Sequence, residues 1–133
     1  MEQSGDIPYE VTALLRRALP SMVHIEVLLL LAKDPAKSWD AATAAVEVHS
    51  TPALAAAALT DLESARLAAA VPGSDPPAYR IDTSDALAAN AVASLREMYE
   101  RRPVTLIRAV YERPPSAVTA FADAFRVRPP EDR

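Results

Sequence analysis

The sequence predicts a mainly α-helical protein: a three-helix core, a small two-stranded β-hairpin and a helical C-terminal extension. Three observations predict it. Half of the 133 residues are hydrophobic, and alanine, the best helix former, dominates that half. Apolar residues recur at helical spacing through most of the chain. One cluster, "PGSDPP" at 72–77, interrupts them with a strong turn signal between two short stretches that read as strands. A chain of this length is expected to fold as one compact unit around a sizeable core.

The elements follow in order. A leading helix is expected from about Pro8 to Leu19, with Val11, Leu14, Leu15 and Ala18 on one face. Pro20 breaks it, and Ser21 can cap the next helix, 22–33. That helix is apolar nearly all round (Ile25, Leu28, Leu29 and Ala32 on one side, Val23, Val27, Leu30 and Leu31 on most of the rest), so it is buried on more than one side. "SWDAATAAVEVHS" reads as a short helix over about 40–48, capped by Ser38 or Asp40. Thr51 and Pro52 then make a strong start for a helix reaching about Arg66, with Leu54, Ala58, Leu59 and Leu62 as its core face.

Strands are expected at 67–71 and 78–81, the second with Tyr79 and Ile81 on one face and Arg80 on the other. A long helix follows, capped near Asp82, Thr83 or Ser84, with Leu87, Ala91, Leu95 and Met98 as its stripe and Val92 and Tyr99 widening it. Pro103 either kinks this helix or opens another, which carries Val104, Ile107, Val110 and Tyr111. A last short helix brings Phe121 and Phe125 one turn apart. The organisation expected is 1–82 as the core module with its leading helix, 83–127 as a helical extension for packing or dimerisation in the same unit, and 128–133 as a frayed tail.

Composition removes several function classes. Without cysteine there is no disulfide framework, thiolate zinc site or cysteine nucleophile. With two glycines there is no phosphate-cradling loop. The opening "MEQSGDIPYE" lacks the basic start and apolar core of a signal peptide, and the apolar run at 22–32 is about half the ~20 residues of a membrane span. A cytoplasmic protein with no membrane role is expected. Net charge is −4, with 6 basic and 12 acidic groups in residues 1–95 against 8 arginines and 6 acidic groups in 96–133. That balance argues mildly against nucleic acid as the main partner.

The stretches "IEVLLLLAKDP", "SWDAATAAVEVHSTPALAAAALTDLESARLAAAV" and "PGSDPPAYRI" give, over residues 22–81, the order helix, short helix, turn, helix, strand, wing, strand. This resembles the winged helix-turn-helix domain of prokaryotic transcription regulators. The resemblance implies a winged-helix-like domain, with 52–66 as the recognition helix and the helices outside 22–81 as the part where such regulators often dimerise. The exposed face it implies is Ala53, Ala56, Ala57, Thr60, Asp61 and Ser64, where DNA-binding members carry polar and basic residues. The wing tip has no Arg or Lys; Arg66 and Arg80 flank it and are the candidate phosphate contacts if DNA is bound. Alanines reach thymine methyls at most, and carboxylates beside a phosphate backbone repel it. The helix is therefore expected to pack against protein rather than to read DNA.

Other candidates carry less. His49 with Glu47 lacks a third ligand for a metal, and a histidine at a helix C-terminus complements the dipole. Ser50 and Thr51 beside His49 do not make a triad, and capping explains them. Asp82 and Asp85 fall at a helix start, where acids are expected. His24 reads as a packed residue, and Trp39 as a plug between the central helix and the sheet. Candidate dimer or docking residues are Leu95, Met98, Tyr99, Ile107, Tyr111, Phe121 and Phe125. Arg101, Arg102, Arg108 and Arg113 form a basic strip that pairs with Glu97, Glu100 and Glu112.

The expectation is a non-enzymatic regulator or adaptor acting through protein contacts, a homodimer with no cofactor. Two alternatives stay open: a regulator that binds DNA directly, and a small-molecule sensor with a pocket near Trp39 and Tyr99. The abundance of Ala, Arg and Pro and the scarcity of Lys suit a bacterium with a GC-rich genome.

Overall fold

A computed structural model describes residues 7–111. In chain order the elements are α1 (Tyr9–Ala18), α2 (Met22–Lys33), β1 (Trp39–Asp40), α3 (Ala41–Glu47), α4 (Pro52–Ser64), β2 (Ala68–Ala70), β3 (Ala78–Ile81), α5 (Ala86–Arg101) and α6 (Pro103–Tyr111). The protein is mainly helical, with a small antiparallel sheet. Expectations for Phe121, Phe125, Arg113, Glu112 and the tail lie outside the described residues.

Side-chain oxygens set most helix starts. Ser21, Asp40 and Thr51 accept from the backbone N–H groups of His24, Thr43 and Leu54, each three residues on. Pro52 then supplies the first residue of α4, where its missing N–H has no cost. Helix ends use a different device. After α3, the Ser50 N–H donates to the Ala45 carbonyl and the His49 N–H to Val46. After α4, Leu67 N–H donates to Leu62 and Arg66 N–H to Glu63. Both are six-to-one, five-to-two closures of the kind that glycine usually completes, and here His49 (φ 57°) and Arg66 (φ 65°) take the left-handed position.

α2 is the central helix. Its Ile25, Val27, Leu28 and Leu31 are fully buried, and it packs against α3, α4, α5 and β3. α1 lies along α5, where Ser94 Oγ donates to Glu10 Oε2 at 2.9 Å, so the leading helix and the C-terminal extension share one core.

Three expectations change, and one open alternative is resolved. The sheet has three strands, not two, in the order β1-β3-β2, because Trp39 and Asp40 pair antiparallel with Tyr79 and Ala78. In α4 the core face is Ala55, Ala58, Leu59 and Leu62, and Leu54 is 54% exposed. Residues 55, 58, 59 and 62 keep a single stripe, which leaves Leu54 one residue off it. α5 is capped by Asp85, not by residues 82–84, and Leu87 is 80% exposed; Ala88, Ala91, Val92, Leu95 and Met98 face the core instead. Pro103 opens a new helix. Arg102 leaves helical geometry (φ −138°, ψ 60°), as the residue before a proline tends to do, and α6 buries Leu106 and Val110 while Val104, Ile107 and Tyr111 stay exposed.

Candidate functional site

α4 is held from behind by α2 and α3, through Ala55, Ala58, Leu59 and Leu62. Its outward side carries Ala53, Ala56, Ala57, Thr60, Asp61 and Ser64, and all six are exposed. Val46 on α3 and Leu54 on α4 are exposed apolar residues on the two helices of this turn unit. No Lys or Arg lies between Thr51 and Ala65. The face is thus small, mostly apolar, and charged only by acids.

Asp61 is not left to solvent alone. His24 Nε2 lies 2.9 Å from Asp61 Oδ2, and His24 Nδ1 lies 2.7 Å from Ser21 Oγ. One tautomer satisfies both contacts, with Nε2–H donating to the carboxylate and Nδ1 accepting from the hydroxyl. The Ser21–His24–Asp61 chain has the residue types of an acyl-transfer relay but not its arrangement. Ser21 Oγ also accepts the His24 backbone N–H as the cap of α2, and Asp61 is 57% exposed on its side chain. The chain fastens α4 to the start of α2. The S-x-x-H spacing in "SMVH" signals its local half. Nothing in the sequence signals Asp61, 37 residues away.

The flanking cations sit at the far end of α4. Arg17 Nη1 donates to the Ala65 carbonyl at 2.8 Å, which brings Arg16 and Arg17 to the end where Arg66 leaves the helix. Arg66 also acts on Asp82: Ser84 donates both its hydroxyl and its N–H to Asp82, and these bonds, with the Arg66 charge behind them, hold that carboxyl below its usual range. Arg80 is exposed on β3, opposite Ala69. The turn between β2 and β3 is pinned by Ser74, whose hydroxyl donates to the Val71 carbonyl and accepts the Ala78 N–H, with Gly73 at φ 74°.

The expected docking residues divide. Leu95 and Met98 are buried in the chain's own core and present nothing to a partner, because the stripe of α5 that carries them faces α1 and α2. Tyr99 is half-buried, and its hydroxyl donates to Glu26 Oε2 at 3.3 Å; burial first, then the Glu26 charge, raises its pKa above the usual tyrosine value. Ile107 and Tyr111 are 40% and 73% exposed and lie one turn apart on α6, with Val104 one turn earlier.

Trp39 is buried on β1 opposite Tyr79, with Lys37 Nζ 3.9 Å above its ring. Tyr99 and Trp39 line two different concavities among the described residues. Among the described residues, no group of three or more His, Cys, Asp or Glu is placed to hold a metal ion, and no helix is long and apolar enough to cross a membrane. Comparison of the chain with protein-family models, curated proteins and solved structures gives no match.

Proposed function

We propose that residues 22–81 form a winged-helix module that works through protein contacts, as a non-enzymatic regulator or adaptor. The element order from α2 to β3, with the sheet order β1-β3-β2 and the Pro/Gly turn as the wing, supports the winged-helix reading. One observation carries the functional reading: the outward side of α4 is exposed, built of small side chains, half of them alanine, and free of Lys and Arg. Phosphate contacts supply much of the affinity for DNA, and base edges are read by long polar side chains. This face has neither, whereas small side chains let another protein surface approach closely. The chain acts as a homodimer through the exposed stripe of α6, since pairing two copies covers both stripes with one contact.

A second reading, direct DNA binding, rests on Arg16, Arg17, Arg66 and Arg80 around the end of α4 and the sheet. Light scattering separates the two. The protein alone gives twice the 14.3 kDa chain mass, and random-sequence duplex DNA at low salt leaves that mass unchanged. A mass that rises with DNA and falls back as salt increases overturns the first reading in favour of the second.

A further inference from the structure

Trp39 is the chain's one tryptophan, and its side chain carries an unmet hydrogen bond. It is 8% exposed on β1, and its indole Nε1–H has no partner among the described residues. Buried donors are nearly always met, because leaving one unmet costs more than making its bond gains. Trp39 and Lys37 both line an open groove of about 620 Å³ between β1 and the outer side of α3. Lys37 is exposed, and its Nζ stands 3.9 Å over the indole ring. A flexible lysine arm is therefore the cover between that ring and the groove.

The backbone beside the groove is open as well. In the order β1-β3-β2, β1 is an outer strand. β3 bonds toward β2 through Ala78, which accepts the Val71 N–H, and Asp82, which donates to Leu67. Alternate residues turn the other way, so Tyr79 meets Trp39. Ser38, one residue earlier, turns its N–H and C=O away from the sheet, and neither is bonded within the described residues. A free donor and acceptor on an outer strand are what an extended peptide completes.

The lining selects the kind of peptide. Ala42, Val46 and Ala78 give apolar surface, and Val46 is 72% exposed. Lys37 stands against Asp40 and Glu47, and the Asp40 carboxylate already accepts the Thr43 N–H and hydroxyl. A cation meets Lys37 and brings the indole no acceptor. An anion meets two carboxylates. An uncharged carbonyl meets neither obstacle.

We propose that this groove takes an extended, uncharged peptide segment of a partner protein. Its backbone lies along Ser38, an apolar side chain rests on Ala42 and Val46, and one carbonyl accepts the Trp39 Nε1–H once Lys37 swings aside. This contact goes beyond the reading of α4, whose outward side does not line the groove.

The probe is a short peptide of alternating threonine and valine, capped at both ends. The same peptide N-methylated throughout, which keeps the side chains and loses the backbone donors, is its control. With one tryptophan in the chain, the indole N–H gives a single nitrogen-15 correlation signal that reports this site alone. That signal moves saturably with the probe and stays still with the control. Val46→Glu, at an exposed position, abolishes binding. Trp39→Phe, followed by calorimetry, weakens it about tenfold, the scale of one hydrogen bond. Ala57→Arg, on the outward side of α4, leaves it unchanged. Thermal melts establish that each variant is folded, and Val46→Glu keeps the test intact if Trp39→Phe is not. The proposal is overturned if the indole signal does not move, if the N-methylated peptide binds equally, or if folded Val46→Glu or Trp39→Phe binds the probe as the parent does. Loss of binding in Ala57→Arg places the peptide on α4 and overturns it too.

Discussion

His49 occupies a backbone position that suits glycine. Its φ of 57° completes the end of α3, and an L side chain there costs about 1–2 kcal/mol relative to helical geometry. His49→Gly is expected to raise stability by roughly 0.5–1 kcal/mol, after the extra entropy glycine loses on folding, as read from a denaturant midpoint. The titrating residues set the pH behaviour. Asp40 is held below the ordinary carboxylate value of 3.8 by the Thr43 N–H and hydroxyl, and Asp82 by Ser84 and then by Arg66. Lowered folded values mean that their stabilisation is present above 3.8 and lost as pH falls through the folded pKa. Tyr99 works the other way. Its raised value gives stabilisation that is complete below pH 10.0 and lost as pH rises past that value through the folded pKa. An absorbance titration of the folded protein should show one tyrosine ionising late, and Tyr99→Phe should remove that step. If the late step survives the substitution, Tyr99 is not the residue that ionises late. Caps such as Ser21 and Thr51 were legible in the sequence because each bond spans three residues. The His24–Asp61 contact was not, because only the packing of α4 on α2 brings the two together.

At the scale of elements, alanine both made the helices easy to find and blurred their faces. In α4 nearly every position is apolar or small, so the sequence offers several plausible stripes, and the structure chooses the one through Ala55, Ala58, Leu59 and Leu62. The same ambiguity misplaced Leu87 in α5, where Ala88 faces inward instead. Mutation separates these neighbours sharply. Leu59→Ala, in a fully buried site, should cost about 2–5 kcal/mol, while Leu54→Ala should stay within about 0.5 kcal/mol. Comparable losses at both positions in urea unfolding would mean that α4 is rotated about its axis. β1 escaped the sequence reading for another reason: two residues cannot display alternation. Asp40 was legible as a cap, and its place beside Ala78 follows from the sheet. Pro103 was legible as a break, but whether it kinked one helix or opened another depended on Arg102 leaving helical geometry.

At the scale of the whole molecule, positive charge among the described residues is kept off the outward side of α4. The outward side of α4 is acidic and apolar, the arginines near it gather beyond its last turn, and an apolar stripe runs along α6. We expect that stripe to hold two copies together, so Ile107→Glu should halve the mass seen by light scattering; a variant that keeps the parent mass places the interface elsewhere. The claim that α4 packs against protein rather than reading DNA has the most direct test. Ala53→Arg, Ala57→Arg and Asp61→Arg, made together on the exposed side of α4, supply the cations that a reading helix in this position would need. Fluorescence anisotropy of a labelled random duplex, followed from about 50 mM to about 200 mM salt, compares this variant with the parent. The parent should not bind, and the variant should bind with an affinity that falls steeply as salt rises. Salt-sensitive binding by the parent itself would mean that α4 or the arginines beside it already contact DNA.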